Sequence, residues 1–331
     1  MHRSRRTLLG LAAAAAALAP ALLLPGGARA QEAFPAPGKT LRIVIPTAPG
    51  GNIDLMARLY AEKLQAAWGQ RVVVESRAGG NGTLATVAVA SSPADGHTAL
   101  FVHSALVQNV VLNPSPGYKL ADLAPASLLA SFPIALAAST GVPADTLPDM
   151  VKLARQKPGS LTFGSYGPGS GGHIIGAGLN KAAGIDIVHV PYKGEAASYT
   201  DLVGGQIQLA YGSVGFYSQR LADGKVKLLA VASPQRLPTF PNVPTFAELG
   251  YADVNLAGWG GLLLPAGTPE AVVEKWSAEL QRITRLPDVQ KRVLDMGFVP
   301  IGGDRKEFAD LLGSDTQRWS AVVKANNIRL D

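Results

Sequence analysis

Residues 40–68 read T-L-R-I-V-I-P-T-A-P-G-G-N-I-D-L-M-A-R-L-Y-A-E-K-L-Q-A-A-W and contain a complete strand, turn and helix. Residues 41–45 form a nearly continuous apolar run, which predicts a strand buried on both faces. The prolines and glycines of residues 46–51 cannot continue that strand, so they predict a tight loop. Apolar residues then recur at helical spacing, and Gly69 is placed to end the helix in a left-handed conformation. This pattern predicts an α/β fold.

The turn between this strand and helix has the features of an anion-binding site. Backbone N–H groups in the first turn of a helix lack intrahelical partners and point outward at the positive end of the helix dipole. An alternative interpretation is a plain tight connection, with Asn52 or Asp54 capping the helix. Both interpretations fit the stretch taken alone.

Residues 1–30 are predicted to be a cleavable export signal. Three arginines precede an Ala/Leu-rich run, and residues 28–30 form an A-R-A cleavage site. The adjacent arginines resemble a twin-arginine signal, and an ordinary secretory signal fits equally well. A membrane anchor is the weaker alternative, because two prolines break the apolar run. We therefore expect the mature protein in the periplasm.

The composition excludes several classes of function. The chain has no cysteine, so disulfides, thiolate metal sites and lipid attachment at a mature N-terminal cysteine are excluded. Thirty Lys and Arg against 24 Asp and Glu give a formal charge of +6, and removing residues 1–30, with four arginines and no acids, leaves +2. No basic cluster is interleaved with aromatic residues, so nucleic acid is not an expected partner. About 300 mature residues favour two lobes over one core.

Strand and helix signals continue to alternate beyond the first unit. Residues 71–75 predict a second strand, residues 79–82 a second Gly-rich turn, and residues 83–91 a short helix. Such alternation predicts parallel sheets with right-handed crossovers. Ligands of these sheets lie beyond the carboxyl ends of the strands, where the Gly-rich turns fall. Asn81 is therefore a candidate ligand contact, with plain turn chemistry as the alternative.

A second unit opens near residue 132 and repeats the strand, Gly-rich loop and helix of the first. Its loop, residues 164–173, reads G-S-Y-G-P-G-S-G-G-H and contains the dinucleotide pattern G-x-G-x-x-G. The next strand, residues 187–190, ends in P-Y-K-G rather than in an acidic residue for a ribose hydroxyl. We therefore reject the dinucleotide interpretation and expect no cofactor.

Catalytic and metal-binding motifs do not stand out in the sequence. Neither Ser170 nor Ser213 lies in G-x-S-x-G, and the five histidines include no H-E-x-x-H. The carboxylates are scattered singly, so neither an acid/base pair nor a metal site is indicated. His173 could donate to a carboxylate or could cap and pack its own loop. An exported enzyme acting on a carboxylated substrate, with His173 or Ser170 as catalytic group, remains the alternative to a binding protein.

Seven motifs resemble one known family over essentially the whole mature chain. In chain order they are P-T-A-P-G-G-N-I-D-L-M-A-R, G-Q-R-V-V-V-E-S-R-A-G-G-N-G, P-A-D-G-H-T, V-H-V-P-Y-K-G, D-L-V-G-G-Q-I, L-P-T-F-P-N-V-P-T-F-A-E-L-G and L-L-L-P-A-G-T-P. The series resembles the substrate-binding receptors of tripartite tricarboxylate transporters, the TctC-like or Bug-type periplasmic solute-binding proteins.

The resemblance implies a two-lobed, hinged architecture of the Venus flytrap type, each lobe a mainly parallel sheet flanked by helices. We expect lobe 1 to comprise residues 39–131 and 256–331, and lobe 2 to comprise residues 132–255. Such a receptor would close on a small carboxylate and deliver it to the membrane subunits of its transporter. We expect a monomer that uses neither a metal nor a catalytic step.

The resemblance also implies that a ligand carboxyl group is held by the loop after the first strand and by the Gly/Ser loop of the second lobe. The predicted ligand-binding residues are Thr47, Ala48, Pro49, Gly50, Gly51, Asn52, Asp54, Asn81, Ser165, Tyr166, Gly167, Gly169, Ser170, Gly171, His173, Tyr192, Gly212, Ser213 and Trp259.

One departure from the family bears on the ligand. Many relatives carry an acidic residue just after the strand that ends here at Tyr211, where this chain has Gly and Ser. The departure predicts a smaller and less acidic wall. We therefore hypothesise a bulkier or aromatic carboxylate, with Tyr166, Phe216 or Trp259 stacking on it.

Overall fold

The computed structural model describes residues 34–328. The predicted export signal, residues 1–30, lies outside the described residues. Within the described part, no helix is both long enough and apolar enough to cross a membrane.

Ten α-helices are found in residues 34–328, and several begin or end at signals visible in the sequence. Their bounds are α1 Asn52–Trp68, α2 Thr83–Ala90, α3 Ala105–Leu112, α4 Leu147–Gln156, α5 Gly171–Ala183, α6 Glu195–Val203, α7 Val214–Ser218, α8 Glu270–Thr284, α9 Pro287–Asp295 and α10 Arg305–Ala325. Gly69 ends α1 with a φ of 63°, as predicted. Ser170 caps α5 by accepting the backbone N–H of His173.

The first sheet has six strands. They are β1 Leu41–Ile45, β2 Val72–Ser76, β3 Thr98–His103, β4 Leu123–Phe132, β10 Gly258–Pro265 and β11 Val299–Gly303. Their order is β11-β4-β10-β3-β1-β2. β1 pairs in parallel with β2 and β3, whereas β10 is antiparallel to β3 and β4, and β11 is antiparallel to β4.

The second sheet has five strands. They are β5 Ile134–Ser139, β6 Leu161–Ser165, β7 Ile187–Pro191, β8 Leu209–Ser213 and β9 Val226–Ala232. Their order is β7-β6-β8-β5-β9. β6 pairs in parallel with β7 and β8, and β5 is antiparallel to β8 and β9.

The two sheets flanked by helices confirm the predicted α/β architecture but correct one detail, since both sheets are mixed rather than mainly parallel. The strands linked by helical crossovers are parallel, as the alternation predicted, except β5 and β6, which α4 connects in opposite directions. The chain enters the second sheet at β5 and returns to the first sheet at β10. Both strands run antiparallel to their neighbours.

The chain passes between the sheets at two places. Pro133 alone separates β4 from β5, and residues 233–257 connect β9 to β10. These crossings fall close to the lobe boundaries expected at residues 132 and 256. The lobe bounds themselves remain a prediction.

The C-terminal helices pack mainly against the first sheet. α8 lies on β4 and β11, and α10 lies on β4 and α3. α10 also contacts α5, which flanks the second sheet. Trp276 and Trp319 are fully buried in the core.

Candidate functional site

A cavity of about 280 Å³ lies where strand ends of the two sheets meet. Its lining includes residues at or just after the carboxyl ends of β1, β3, β6 and β8, the position at which α/β sheets bind ligands. The lining residues are Thr47, Gly51, Asn52, Ile53, His103, Ser104, Phe132, Ile134, Tyr166, Glu195, Ser213, Gly258 and Phe298.

A larger groove of about 520 Å³ lies between α5 and α10, and none of the predicted ligand-binding residues lines it. Its two basic side chains already have partners. Lys181 Nζ donates to the Ala325 carbonyl at 2.7 Å, and Arg318 donates to the Asn255 carbonyl at 3.0 Å. We therefore place the candidate site in the smaller cavity between the sheets.

The loop after β1 brings an uncapped helix start to this cavity. Gly51 is the N-cap of α1, and no described side chain hydrogen-bonds to this helix end. Asn52 and Ile53, in the first turn, line the cavity. Because the first N–H groups of a helix have no intrahelical partners, this wall offers donors and positive potential to an anion.

Asp54 stabilises this loop without lining the cavity. Its buried carboxylate accepts the Gly50 N–H at 2.9 Å and pairs with Arg58 at 3.0 Å. The hydrogen bond from Arg58, together with the Gly50 bond, lowers the pKa of Asp54. Asp54 therefore fixes the turn, and it is absent from the cavity lining.

Thr47 adds a hydroxyl group that needs a partner. Its Oγ1 is buried and has no hydrogen-bond partner among residues 34–328. The Ser76 hydroxyl donates to the Thr47 carbonyl at 2.6 Å, which holds the backbone of this residue in place. Since an unpaired buried hydroxyl costs free energy, Thr47 is suited to bonding with a molecule in the cavity.

The predicted second loop is largely hydrogen-bonded to itself. Ser165 Oγ lies 2.8 Å from His189 Nε2, and the Ser170 hydroxyl accepts the His173 N–H at 3.4 Å. His173 Nδ1 accepts the Gly169 N–H at 3.1 Å, and its ring stacks on His189 with centroids 3.9 Å apart. Burial lowers the pKa of both histidines. None of these side chains lines the cavity.

Tyr166 is the residue of this loop that reaches the cavity. Its hydroxyl accepts the Gly172 N–H at 3.1 Å. A Cβ on Gly171 would lie 2.9 Å from that hydroxyl and 2.8 Å from Ile134 Cδ1. The glycines at 171 and 172 therefore make room for the Tyr166 side chain.

Several other predicted residues lie outside the cavity lining. The Asn81 amide donates to Asn109 Oδ1 at 3.0 Å, and the Tyr192 hydroxyl donates to Asp201 at 2.7 Å. Further predicted residues absent from the lining are Ala48, Pro49, Gly50, Gly167, Gly169 and Gly212.

The side chain of Trp259 points into the core, away from the expected cleft wall. It is 2% exposed, and its indole N–H donates to Asp315 at 2.7 Å. Its ring meets Phe308 edge-on with centroids 5.2 Å apart. The neighbouring Gly258, rather than Trp259, lines the cavity.

The aromatic wall of the cavity is made by residues that sequence reasoning missed. The rings of Phe132 and Phe298 stack with centroids 4.1 Å apart, and both line the cavity. Phe216, a predicted stacking residue, instead packs under Arg220, whose guanidinium lies 3.7 Å from its ring centroid. Tyr166 is the predicted stacking residue that does line the cavity.

Glu195, also missed, makes the cavity acidic. Its carboxylate accepts the Ser213 N–H at 2.5 Å and the Ser213 hydroxyl at 3.0 Å. A Cβ on Gly212 would lie 2.9 Å from Tyr217 Cε2, so glycine at this position makes room for the Tyr217 ring. Burial raises the pKa of Glu195. The expectation of a less acidic wall is thereby corrected, because α6 supplies the acid that the end of β8 lacks.

His103 was missed as well, although it ends β3. Its Nδ1 accepts the Ala105 N–H at 3.2 Å, so the neutral ring carries its proton on Nε2. Burial lowers the pKa of His103 to about 4. The cavity therefore contains a neutral imidazole with one N–H donor.

Acidification is expected to destabilise the protein partly through His103. Between the folded pKa of about 4 and the reference value of 6.5, the unfolded chain binds a proton that the folded protein does not. The contribution of His103 is therefore complete above pH 6.5 and falls as the pH decreases towards 4. His103→Gln removes this titration, so the decrease in unfolding free energy between pH 7 and pH 4 should be smaller than in wild type by about 3 kcal/mol.

Urea denaturation of both proteins between pH 7 and pH 4 measures this effect. His189, whose pKa burial also lowers to about 4, is present in both proteins, so its contribution cancels. If the unfolding free energies of wild type and His103→Gln decrease in parallel as the pH falls, the lowered pKa of His103 is contradicted.

The facing strand ends, the uncapped α1 start and the cavity between the two sheets are the features expected of a two-lobed solute-binding protein. The chain belongs to a specific family of this class, since the model described as "Tripartite tricarboxylate transporter family receptor" matches residues 56–328. This confirms the resemblance drawn from the seven motifs.

Two relatives illustrate the family. The "UPF0065 protein in tcbD-tcbE intergenic region" of Pseudomonas sp. (strain P51) is 35% identical over 325 residues, covering 96% of this chain and 93% of the relative. Protein BugT of Bordetella pertussis is 30% identical over 297 residues, covering 89% and 91%.

Two solved structures resemble the whole described fold. An R. palustris protein solved with adipate has a TM-score of 0.78 and 29% identity, covering 88% of this chain and 99% of that structure. MatC of Rhodopseudomonas palustris, solved with malate, has a TM-score of 0.73 and 31% identity, covering 87% and 99%. Both of these neighbours were solved with small carboxylates.

Proposed function

We propose that this protein is a periplasmic receptor that captures a small carboxylate in the cavity and delivers it to a tripartite tricarboxylate-type transporter. The observation that carries the proposal is the uncapped first turn of α1 at the cavity wall. The carboxylates bound by the two structural neighbours support the ligand class. Family membership supports the transporter and, together with the export signal expected in residues 1–30, the periplasmic location.

The carboxyl group is held by hydrogen bonds and the helix dipole rather than by a basic side chain. No lysine or arginine occurs among the described residues that line the cavity. The donors are the N–H groups of residues 51–53, the Thr47 hydroxyl and His103 Nε2–H. A preorganised set of neutral donors at a helix start stabilises an anion without a counter-charge.

The rest of the ligand lies against the apolar and second-sheet walls. Phe132, Phe298 and Ile134 supply the apolar surface, and Tyr166 and Ser213 supply hydroxyl groups. The remaining predicted residues, apart from Trp259, lie outside the cavity lining and act by shaping the loops and strand ends around it. They are Ala48, Pro49, Gly50, Asp54, Asn81, Ser165, Gly167, Gly169, Ser170, Gly171, His173, Tyr192 and Gly212.

Capture depends on the approach of the two lobes. Gly215, at the start of α7, touches the turn after α9, and a Cβ on Gly215 would lie 2.1 Å from the Met296 carbonyl oxygen. Phe298 of the cavity lining follows this turn directly. We therefore expect the backbone contact between Gly215 and Met296 to form when the two lobes close on the ligand.

The proposal includes no chemical step. The side chains of His173 and Ser170, the candidate catalytic groups of the enzyme alternative, are committed to hydrogen bonds within their loop. We expect the ligand to leave the protein unchanged.

Equilibrium dialysis of the protein purified from the periplasm, followed by mass spectrometry of the recovered ligand, tests the proposal. Adipate, malate and benzoate cover the aliphatic and aromatic classes. We expect at least one acid to bind with one-to-one stoichiometry and to be recovered intact. Steady consumption of an acid, abolished by His173→Ala, would contradict the receptor and favour the enzyme.

A further inference from the structure

The Glu195 carboxylate lies on the second-sheet side of the cavity and retains unused bonding capacity. Its two oxygens accept one hydrogen bond each, from the N–H and the hydroxyl of Ser213. A carboxylate can accept about four such bonds. Glu195 lines the cavity, so its remaining acceptor sites are available to a ligand.

Glu195 also lacks a cation within the described part of the chain. No lysine, arginine or histidine nitrogen of residues 34–328 forms a salt bridge with it, although Arg220 exerts a weaker attraction over a longer distance. Arg220 is committed elsewhere, since it donates to the Phe216 carbonyl at 2.8 Å and lies over the Phe216 ring. Partial burial of a carboxylate without a cation is costly, and a cationic group in the cavity would reduce that cost.

The environment of Glu195 favours its charged form once such a cation is present. Both of its partners on Ser213 are donors, and donors stabilise a carboxylate rather than a carboxylic acid. A second carboxylate on the ligand would instead meet a like charge at close range. The two ends of the cavity therefore have opposite preferences, with N–H donors at the α1 start and an acidic acceptor at Glu195.

We propose that Glu195 is a specificity residue that binds an ammonium group, so that the preferred ligand is an amino-substituted carboxylate. The inference rests on the proposed function, because the ligand's carboxylate is taken to lie at the α1 start. The cavity of about 280 Å³ suits the size of such a ligand.

A structural role for Glu195 makes a different prediction. If Glu195 served only to anchor Ser213 at the end of β8, replacing it would lower stability and leave the ligand preference unchanged. Ligand preference is therefore the informative measurement.

Isothermal titration calorimetry at pH 7 with two matched sets of acids tests the inference. The aliphatic set is 6-aminohexanoate, hexanoate and adipate, and the aromatic set is 4-(aminomethyl)benzoate, 4-methylbenzoate and terephthalate. In whichever set binds, we expect the aminated acid to bind wild type at least tenfold more tightly than both matched acids. Glu195→Gln keeps the size, its amide oxygen can accept the Ser213 N–H, and its amide NH2 can donate to the Ser213 hydroxyl. It should reduce this preference to within about twofold.

The outcomes separate the inference from the proposed function. A matched acid that binds wild type as tightly as its aminated partner, or a Glu195→Gln protein that keeps the preference, overturns the inference and leaves the receptor intact. No binding of any of the six acids overturns both. If Glu195→Gln does not fold, Glu195→Asp is the second variant, because it moves the carboxylate back by one methylene. It should lower the preference for the aminated acid at least threefold. An unchanged preference overturns the inference.

Discussion

Replacing Gly215 by alanine is expected to lower the affinity for carboxylates about 100-fold while leaving the fold intact. The added Cβ would lie 2.1 Å from the Met296 oxygen and 3.0 Å from its carbonyl carbon, and backbone atoms cannot rotate away as a side chain can. Separation of the lobes relieves this overlap. If the closed state becomes about 100-fold less populated, the apparent dissociation constant rises by the same factor.

A matched control separates the effect on closure from the effect of a glycine-to-alanine change in a helix. Gly313 lies on an exposed part of α10, and a Cβ there meets nothing within 4 Å. In both helices alanine has the higher helix propensity, so neither substitution should destabilise its helix. Calorimetry should show weakened binding for Gly215→Ala alone, and wild-type affinity for both variants would refute the closure contact.

Replacing Asp315 by leucine is expected to lower the free energy of unfolding by about 3 kcal/mol. The carboxylate is 2% exposed and accepts the indole N–H groups of Trp259 at 2.7 Å and Trp319 at 3.3 Å. Leucine leaves both buried donors without an acceptor, at a cost of about 1–3 kcal/mol each. Urea denaturation at pH 7 measures the loss.

Asp315→Asn is the control for this prediction, because it keeps an acceptor oxygen in nearly the same place. Burial raises the pKa of Asp315, so its charged form is already disfavoured and the amide should cost only about 1 kcal/mol. Ligand affinity should stay unchanged in both variants at temperatures where they are folded, because neither Asp315 nor Trp259 lines the cavity. Equal stability of Asp315→Leu and wild type would show that the two indoles do not depend on this carboxylate.

Local signals were sufficient for the first unit of the fold. The apolar run of β1, the Pro/Gly turn and the helical spacing of α1 each act over a few residues, and Gly69 ends the helix as predicted. The same reasoning identified the strand and helix of the second unit around residues 161–183.

The strands β4, β5 and β11 could not be predicted in the same way. Pro125 interrupts the apolar pattern of β4, and Pro133 stands between β4 and β5, so the turn signals hide two adjacent strands. The antiparallel pairing of β5 with β9, and of β4 with β10 and β11, joins residues that are at least 87 positions apart. Such pairing depends on tertiary packing, which sequence periodicity does not encode.

Sequence reasoning predicted only the part of the candidate site whose residues are close together in the sequence. The loop after β1 contributes Thr47, Gly51 and Asn52 to the cavity because a strand, a Gly-rich turn and a helix start are contiguous in sequence. Glu195 and His103 come from separate elements that only the two folded sheets bring together. The sequence placed Trp259 at the ligand, whereas the direction of its side chain is set by Asp315 on the distant α10.

The central claim is that the cavity recognises a carboxylate through the donors at the α1 start. Thermal denaturation of the purified protein with each acid of the two sets, and with the corresponding primary amide, tests it most directly. At a concentration 100 times the dissociation constant, a bound acid stabilises the folded state by about 2.7 kcal/mol, so the account predicts a clear rise in melting temperature with the acid and little with the amide. Equal shifts for an acid and its amide would contradict it.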